Sequence, residues 1–261
     1  MLFKIVKYDF KNNANTFWIL YLALLLLSMI TRYGGYNVAG GQVALSVASG
    51  ISMTLYTLLL VGTLVYLFVS IIKSYYVTMF KNAGYLTLTL PVSSAQLIIA
   101  KVINATIWLV LTAVATLLSL FILTTDYQQF AEILKVLPKY FDLGKTLVWL
   151  LYIFVSYISS IMLIFLVITF VNSVWIKKYR GIIGVAAYFA LSWALSSIES
   201  LITPKAANFG GVDALYGYNV NQTISSYTRQ IALPGILWGL IIMVLCFAGI
   251  RYLLNSKIEI D

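Results

Sequence analysis

The sequence predicts an all-α membrane protein that crosses the bilayer six times, and three observations carry that expectation. Of 261 residues, 62% are hydrophobic and only 10% charged, with a mean hydropathy of +0.96. The apolar residues fall in uninterrupted runs close to the roughly 20 that a helix needs to cross about 30 Å of hydrocarbon. The basic residues lie mostly between those runs, eleven on one side of the implied membrane and six on the other.

The N-terminal "MLFKIVKYDFKNN" has a helical pattern, with Leu2, Phe3, Val6 and Phe10 on one side and Lys4, Lys7 and Lys11 on another. Such a helix is interfacial, apolar side toward the acyl chains and lysines toward phosphates; the plainer alternative is an extension of the first span. That span, 16–30, has an exit, "TRYGGYNVAGGQ", too polar for a cleaved signal peptide, so it is expected to be retained. The Gly-rich 34–41 within that exit reads as a turn. A second span covers 44–72 and a third 102–124. In "DYQQFAEILKVLPKYF", Phe130, Ile133, Leu134, Leu137 and Phe141 recur at helical spacing and Pro138 marks the end. This second amphipathic helix lies flat on the outer leaflet or caps the bundle. Spans four and five are 146–171 and 181–201. Residues 202–233, rich in Gly, Asn, Tyr and Ser, form a loop that closes at Pro234, where the sixth span, 234–254, begins. Neither loop is long enough for a core of its own. The "NQT" at 221–223 fits a glycosylation sequon that chance also produces. With no evident repeat, linker or low-complexity tail, residues 1–261 read as a single transmembrane domain.

An even number of spans puts both termini on one side. That side carries eleven basic and three acidic residues, net +8; the other carries six and five, net +1. The positive-inside rule therefore makes both termini cytoplasmic. The overall +9 reflects topology and attraction to anionic lipid, with no call for nucleic acid.

Much chemistry is excluded. Histidine is absent and Cys246 is the single cysteine, which removes disulfides, Ser-His-Asp and Cys-His catalysis and imidazole-bound zinc. No Gly-x4-Gly-Lys-[Ser/Thr] string exists to hold a nucleotide, so any ATP must be bound by another chain. Proton coupling would use carboxylates at membrane depth, and only Glu199 falls within a span. It lies 18 residues beyond Gly181, roughly 27 Å along the helix. Ser192 and Ser196 precede it at i−7 and i−3 and give the fifth span one polar stripe. The stripe has two readings. Ser192, Ser196 and Glu199 face a translocation path, or Glu199 is solvated at the outer interface while small residues, Ala186, Ala187, Ala190, Ala194 and Ser197, pack helices closely. Without a carboxylate pair or metal set at depth, no catalytic residue and no metal site are expected, and the chain is not read as an enzyme.

Residues 73–101, "KSYYVTMFKNAGYLTLTLPVSSAQLIIAK", form the longest inner loop. Tyr76, Met79, Phe80, Leu86, Leu88 and Leu90 make it too apolar for an idle connection and suggest a docking surface. Here the sequence resembles the membrane subunit of a type-2 ATP-binding-cassette (ABC) transporter of the small six-span bacterial class. The likeness rests on Phe80, Lys81, Asn82, Gly84, Tyr85, Leu86, Thr87, Thr89, Leu90, Pro91, Val92, Ser93 and Lys101. More loosely, "KYDFK" and "YLLNSKIEID" resemble the family's ends. The chain departs from the pattern at "KNAG", where an acid commonly precedes the glycine, which puts one acid-to-basic contact with the ATPase in doubt. The likeness implies a cytoplasmic coupling helix between spans two and three that seats in a separate ATPase, with Phe80, Lys81, Asn82, Gly84, Tyr85, Leu86, Leu90 and Pro91 as coupling residues. A re-entrant hairpin within the membrane protein is the structural alternative.

The expected function is the permease subunit of an ATP-driven exporter in the bacterial cytoplasmic membrane. It would pair with a second permease half, identical or not, and with two copies of a cassette ATPase that bind ATP and Mg; no cofactor is expected on this chain. Small outer loops offer no dock for an import binding protein. The many aromatics suit amphipathic or lipophilic cargo, such as antimicrobial or cytolytic peptides, and equally suit interfacial belts. The alternative is a non-transporting immunity protein that binds a peptide toxin.

Overall fold

The computed structural model describes residues 2–36, 43–80, 94–124, 142–172, 179–202 and 228–256. All secondary structure among them is helical: α1 (Leu2–Tyr36), α2 (Val43–Phe80), α3 (Ser94–Thr124), α4 (Leu143–Val171), α5 (Arg180–Ile202), a π-helical turn (Thr228–Ala232) and α6 (Leu233–Ser256). Among the described residues, six helices are long and apolar enough to cross a membrane, the architecture of a multi-pass membrane protein. They group into two compact units, Met1–Ile133 and Leu134–Asp261.

The first unit holds α1, α2 and α3, with α1 against both others. Buried positions on α1 run Phe17, Tyr21, Leu24, Ser28, Thr31, alternating steps of four and three, the seam of closely aligned helices. Bonded pairs fix the directions. Asp9, Tyr21 and Arg32 of α1 meet Lys101, Thr112 and the Ile122 carbonyl of α3, so these helices run parallel; α2 runs against them, with Thr78 beside Lys101 and Tyr56 beside Ser119. The core is aromatic. Trp108 is sandwiched between Phe10 and Phe17, with ring centroids 4.5 and 4.1 Å away and planes within 10° and 17° of parallel. Tyr66 meets Phe17 edge-on at 5.0 Å.

Hydroxyls in these helices are satisfied locally. Thr112 donates to the Trp108 carbonyl and Ser119 to that of Thr116, so each is left to accept, from Tyr21 at 2.7 Å and Tyr56 at 2.9 Å. At the end of the unit where α1 starts, the Lys101 ammonium, 3% exposed, donates to the Asp9 carboxylate, to Thr78 Oγ1 (2.8 Å) and to Ser74 Oγ (3.3 Å). Three donors meet three acceptors, one from α1 and two from α2.

The helices outrun their expected spans. The N-terminal segment and first span form one unbroken helix, and Gly34 and Gly35, expected in a turn, complete its last turn. Residues 73–80 and 94–101, expected in an inner loop, are helical, and Met79, expected to be exposed, is 1% exposed inside the unit. Tertiary packing against α1 prolongs both helices past the point where hydropathy fades.

The second unit holds α4, α5, the π-helical turn and α6. Asp142 caps α4, accepting from the amides of Gly144 (3.1 Å) and Lys145 (3.4 Å) and pairing with Lys145 Nζ at 3.2 Å. That hydrogen bond with Lys145 holds the Asp142 carboxyl below the usual carboxylate range. Trp149 Nε1 donates to Thr228 Oγ1 at 3.1 Å and ties the π-helical turn to α4.

α6 lies on α4 through glycines. A Cβ at Gly235 would stand 2.4 Å from the Tyr152 ring, one at Gly239 2.7 Å from Val155 Cγ1, and one at Gly249 2.7 Å from Leu166 Cδ1. α5 is looser, with no fully buried residue among 181–202. Gly184, Ala187, Tyr188, Ser192, Leu195 and Glu199 form its half-covered face, whereas Ala186, Ala190, Ala194 and Ser197 are exposed. Among the described residues, the closest helix approach through small residues is that of α4 and α6.

Candidate functional site

Ser192 and Glu199 stand on the half-covered face of α5 and Ser196 at its exposed edge. All three line one open cavity of about 180 Å³ inside the second unit. α4 contributes Tyr152, Ser156, Ser159, Ser160 and Leu163, α5 adds Leu195, and α6 adds Gly235, Trp238, Gly239 and Ile242. The polar stripe on α5 thus faces a second one on α4.

The absence of side chains at Gly235 and Gly239 brings α6 onto α4, so its backbone and the Trp238 ring form one wall. Ser159 and Ser160 both donate to the Ser156 carbonyl at 2.8 Å, so their remaining capacity is to accept. Trp238 Nε1 is buried and finds no acceptor among the described residues. Glu199 is the one charged residue among the described residues of the lining. Polar groups in this number on membrane helices are placed where they meet water, protein or a ligand, because hydrocarbon satisfies none of them. No group of three His, Cys, Asp or Glu able to hold a metal occurs among the described residues.

Comparison with family models, with curated proteins and with solved structures finds no match.

Of the coupling residues, Phe80 is described. It ends α2, half-buried, with its ring centroid 6.2 Å from those of Tyr75 and Tyr76. Lys81, Asn82, Gly84, Tyr85, Leu86, Leu90 and Pro91 lie outside the described residues, as do the amphipathic segment 126–141, residues 203–227 and the 221–223 sequon.

Sequence reasoning missed Ser156, Ser159 and Ser160, although "SYISS" in an apolar run was a visible polar signal. It also missed Gly235-x-x-x-Gly239, the spacing that lets two membrane helices approach. Tyr152 and Trp238 gave no comparable signal, since aromatics pervade the spans.

Proposed function

We propose that this chain is the membrane-spanning permease subunit of an ATP-driven ABC exporter, moving amphipathic or lipophilic cargo out of the cell. The observation that best supports it is the serine-lined cavity with one carboxylate, set among helices long enough to cross a membrane. A chain without a nucleotide motif takes its energy from elsewhere, and residues 81–93, which resemble the family's coupling segment, provide the contact with a cassette ATPase. In this reading the termini are cytoplasmic, the lysine-bearing first turns of α1 ride on the inner leaflet and a second permease half completes the assembly. The Lys101 cluster then joins the two helices that flank residues 81–93 in sequence to α1.

The test is capture of the tagged full-length chain from its native membrane. A P-loop ATPase in stoichiometric yield supports the proposal; a peptide toxin with no ATPase favours the non-transporting alternative. With the ATPase in hand, Tyr85→Asp and Leu86→Asp are expected to uncouple hydrolysis from export while the permease stays folded. Unchanged export and co-purification in both variants would refute the coupling role.

A further inference from the structure

The outward side of α1 is ordered along its length. Lys4, Lys7, Lys11, Asn15, Trp18 and Leu22 follow one another in steps of three and four, one stripe of the helix, and all six are exposed. Charge gives way to an amide, then to an aromatic and an aliphatic side chain, the order in which a helix passes from headgroups into acyl chains. The apolar residues of the first turns point the other way: Val6 is buried and Phe10 stacks on Trp108. Packing behind the helix therefore holds the lysines toward its surroundings. Asp9, the one acid of α1, is taken by Lys101, and none of the three lysines is paired with an acid among the described residues.

The chain also shows at what depth the stripe lies. Residues 12–31 carry no charge, and Lys11 and Arg32 bound them. At about 1.5 Å per residue they cover roughly 30 Å, the thickness of the hydrocarbon. Lys73 of α2, exposed and adjacent to the Ser74 that meets Lys101, marks the same edge as Lys11. Lys7 and Lys4 then stand about 6 and 10 Å beyond it, where flexible side chains reach a headgroup layer about 5–8 Å deep.

We propose that the Lys4, Lys7 and Lys11 stripe binds the phosphates of anionic phospholipids and concentrates them beside α1 in the leaflet where that helix begins. Three ammonium groups bordering acyl chains are answered by negative charge on a molecule whose tails lie along Asn15, Trp18 and Leu22. The inference requires only that α1 cross the bilayer. It holds in either orientation and with or without an ATPase, so its outcome and that of the export reading are independent.

The test uses the full chain with Cys246→Ser and a bimane fluorophore on Asn15→Cys, in phosphatidylcholine vesicles containing a minority of phosphatidylglycerol. Bromine on the acyl chains of one lipid or the other quenches the fluorophore according to how often that lipid is its neighbour. Per molecule, phosphatidylglycerol should quench at least about fivefold more than phosphatidylcholine, the effect of one lysine beside an anionic surface. Combined Lys4→Gln, Lys7→Gln and Lys11→Gln should abolish the preference, and arginine at the same three positions should keep it. Lys177→Gln, Lys178→Gln and Lys257→Gln together remove the same charge elsewhere and should leave it intact. Equal quenching by the two lipids around the unaltered lysines overturns the proposal whatever the variants do. A preference that survives the first glutamine set, or falls equally in the second, overturns it as well. Binding of a hexaglutamate peptide through the three lysines, with no lipid preference, would make the stripe a protein-docking face and also overturn it.

Discussion

At the scale of single residues the Lys101 ammonium is the most constrained group described. Its three protons are taken by Asp9, Thr78 and Ser74, and Thr78 accepts because its own proton goes to the Ser74 carbonyl at 2.6 Å. Removing one partner of a buried ion pair leaves an uncompensated charge, which costs about 3 kcal/mol. Lys101→Met should lower the stability of the first unit by about that amount, and Asp9→Asn combined with it should recover at least half. Thermal unfolding in detergent checks this; an equal loss in single and double variants would show that lost packing alone is responsible. Asp142 offers a pH test. Its folded carboxyl titrates below the ordinary range, so the unfolded chain takes up the proton first. The stabilisation is therefore complete above the ordinary carboxylate pKa and vanishes as pH falls through the depressed folded value. Asp142→Asn retains a capping acceptor and cannot titrate, so its thermal midpoint should fall less steeply with acidification than that of the wild-type chain.

At the scale of elements, glycines separate close contacts from empty ones. Gly235→Ala and Gly239→Ala drive a methyl into the Tyr152 ring and the Val155 methyl, a rigid ring and a β-branched side chain stiff at χ1, and should cost about 1–3 kcal/mol each. Gly249→Ala meets the mobile end of Leu166 and should cost less; Gly62→Ala meets nothing within 4 Å and should gain up to about 1 kcal/mol of helix propensity. The same detergent unfolding series ranks them. These elements also show what was legible. Hydropathy located all six helices, because in hydrocarbon every backbone polar group must be bonded within the segment. It mislaid the ends of α1, α2 and α3, where neighbours rather than apolarity sustain the helix. It placed Ser192, Ser196 and Glu199 on one stripe, since helical spacing is written in the sequence. The facing Ser156, Ser159 and Ser160 became partners only through the approach of α4 to α5, a long-range fact that no local pattern contains.

At the scale of the molecule, the proposed orientation predicts which faces a membrane-impermeant reagent reaches. After Cys246→Ser removes the native thiol, Lys73→Cys and Lys257→Cys should label only from the cytoplasmic side, Lys139→Cys and Lys205→Cys only from outside. Labelling of Lys73→Cys from outside would invert the chain and take the coupling segment away from any ATPase. The Asp9 contact has a practical corollary. Residues at the start of a membrane chain are commonly trimmed or replaced by tags on the assumption that they are a dispensable leader. Here, deleting the first ten would take from a buried lysine the carboxylate it is paired with, so a damaged bundle would be mistaken for a missing signal.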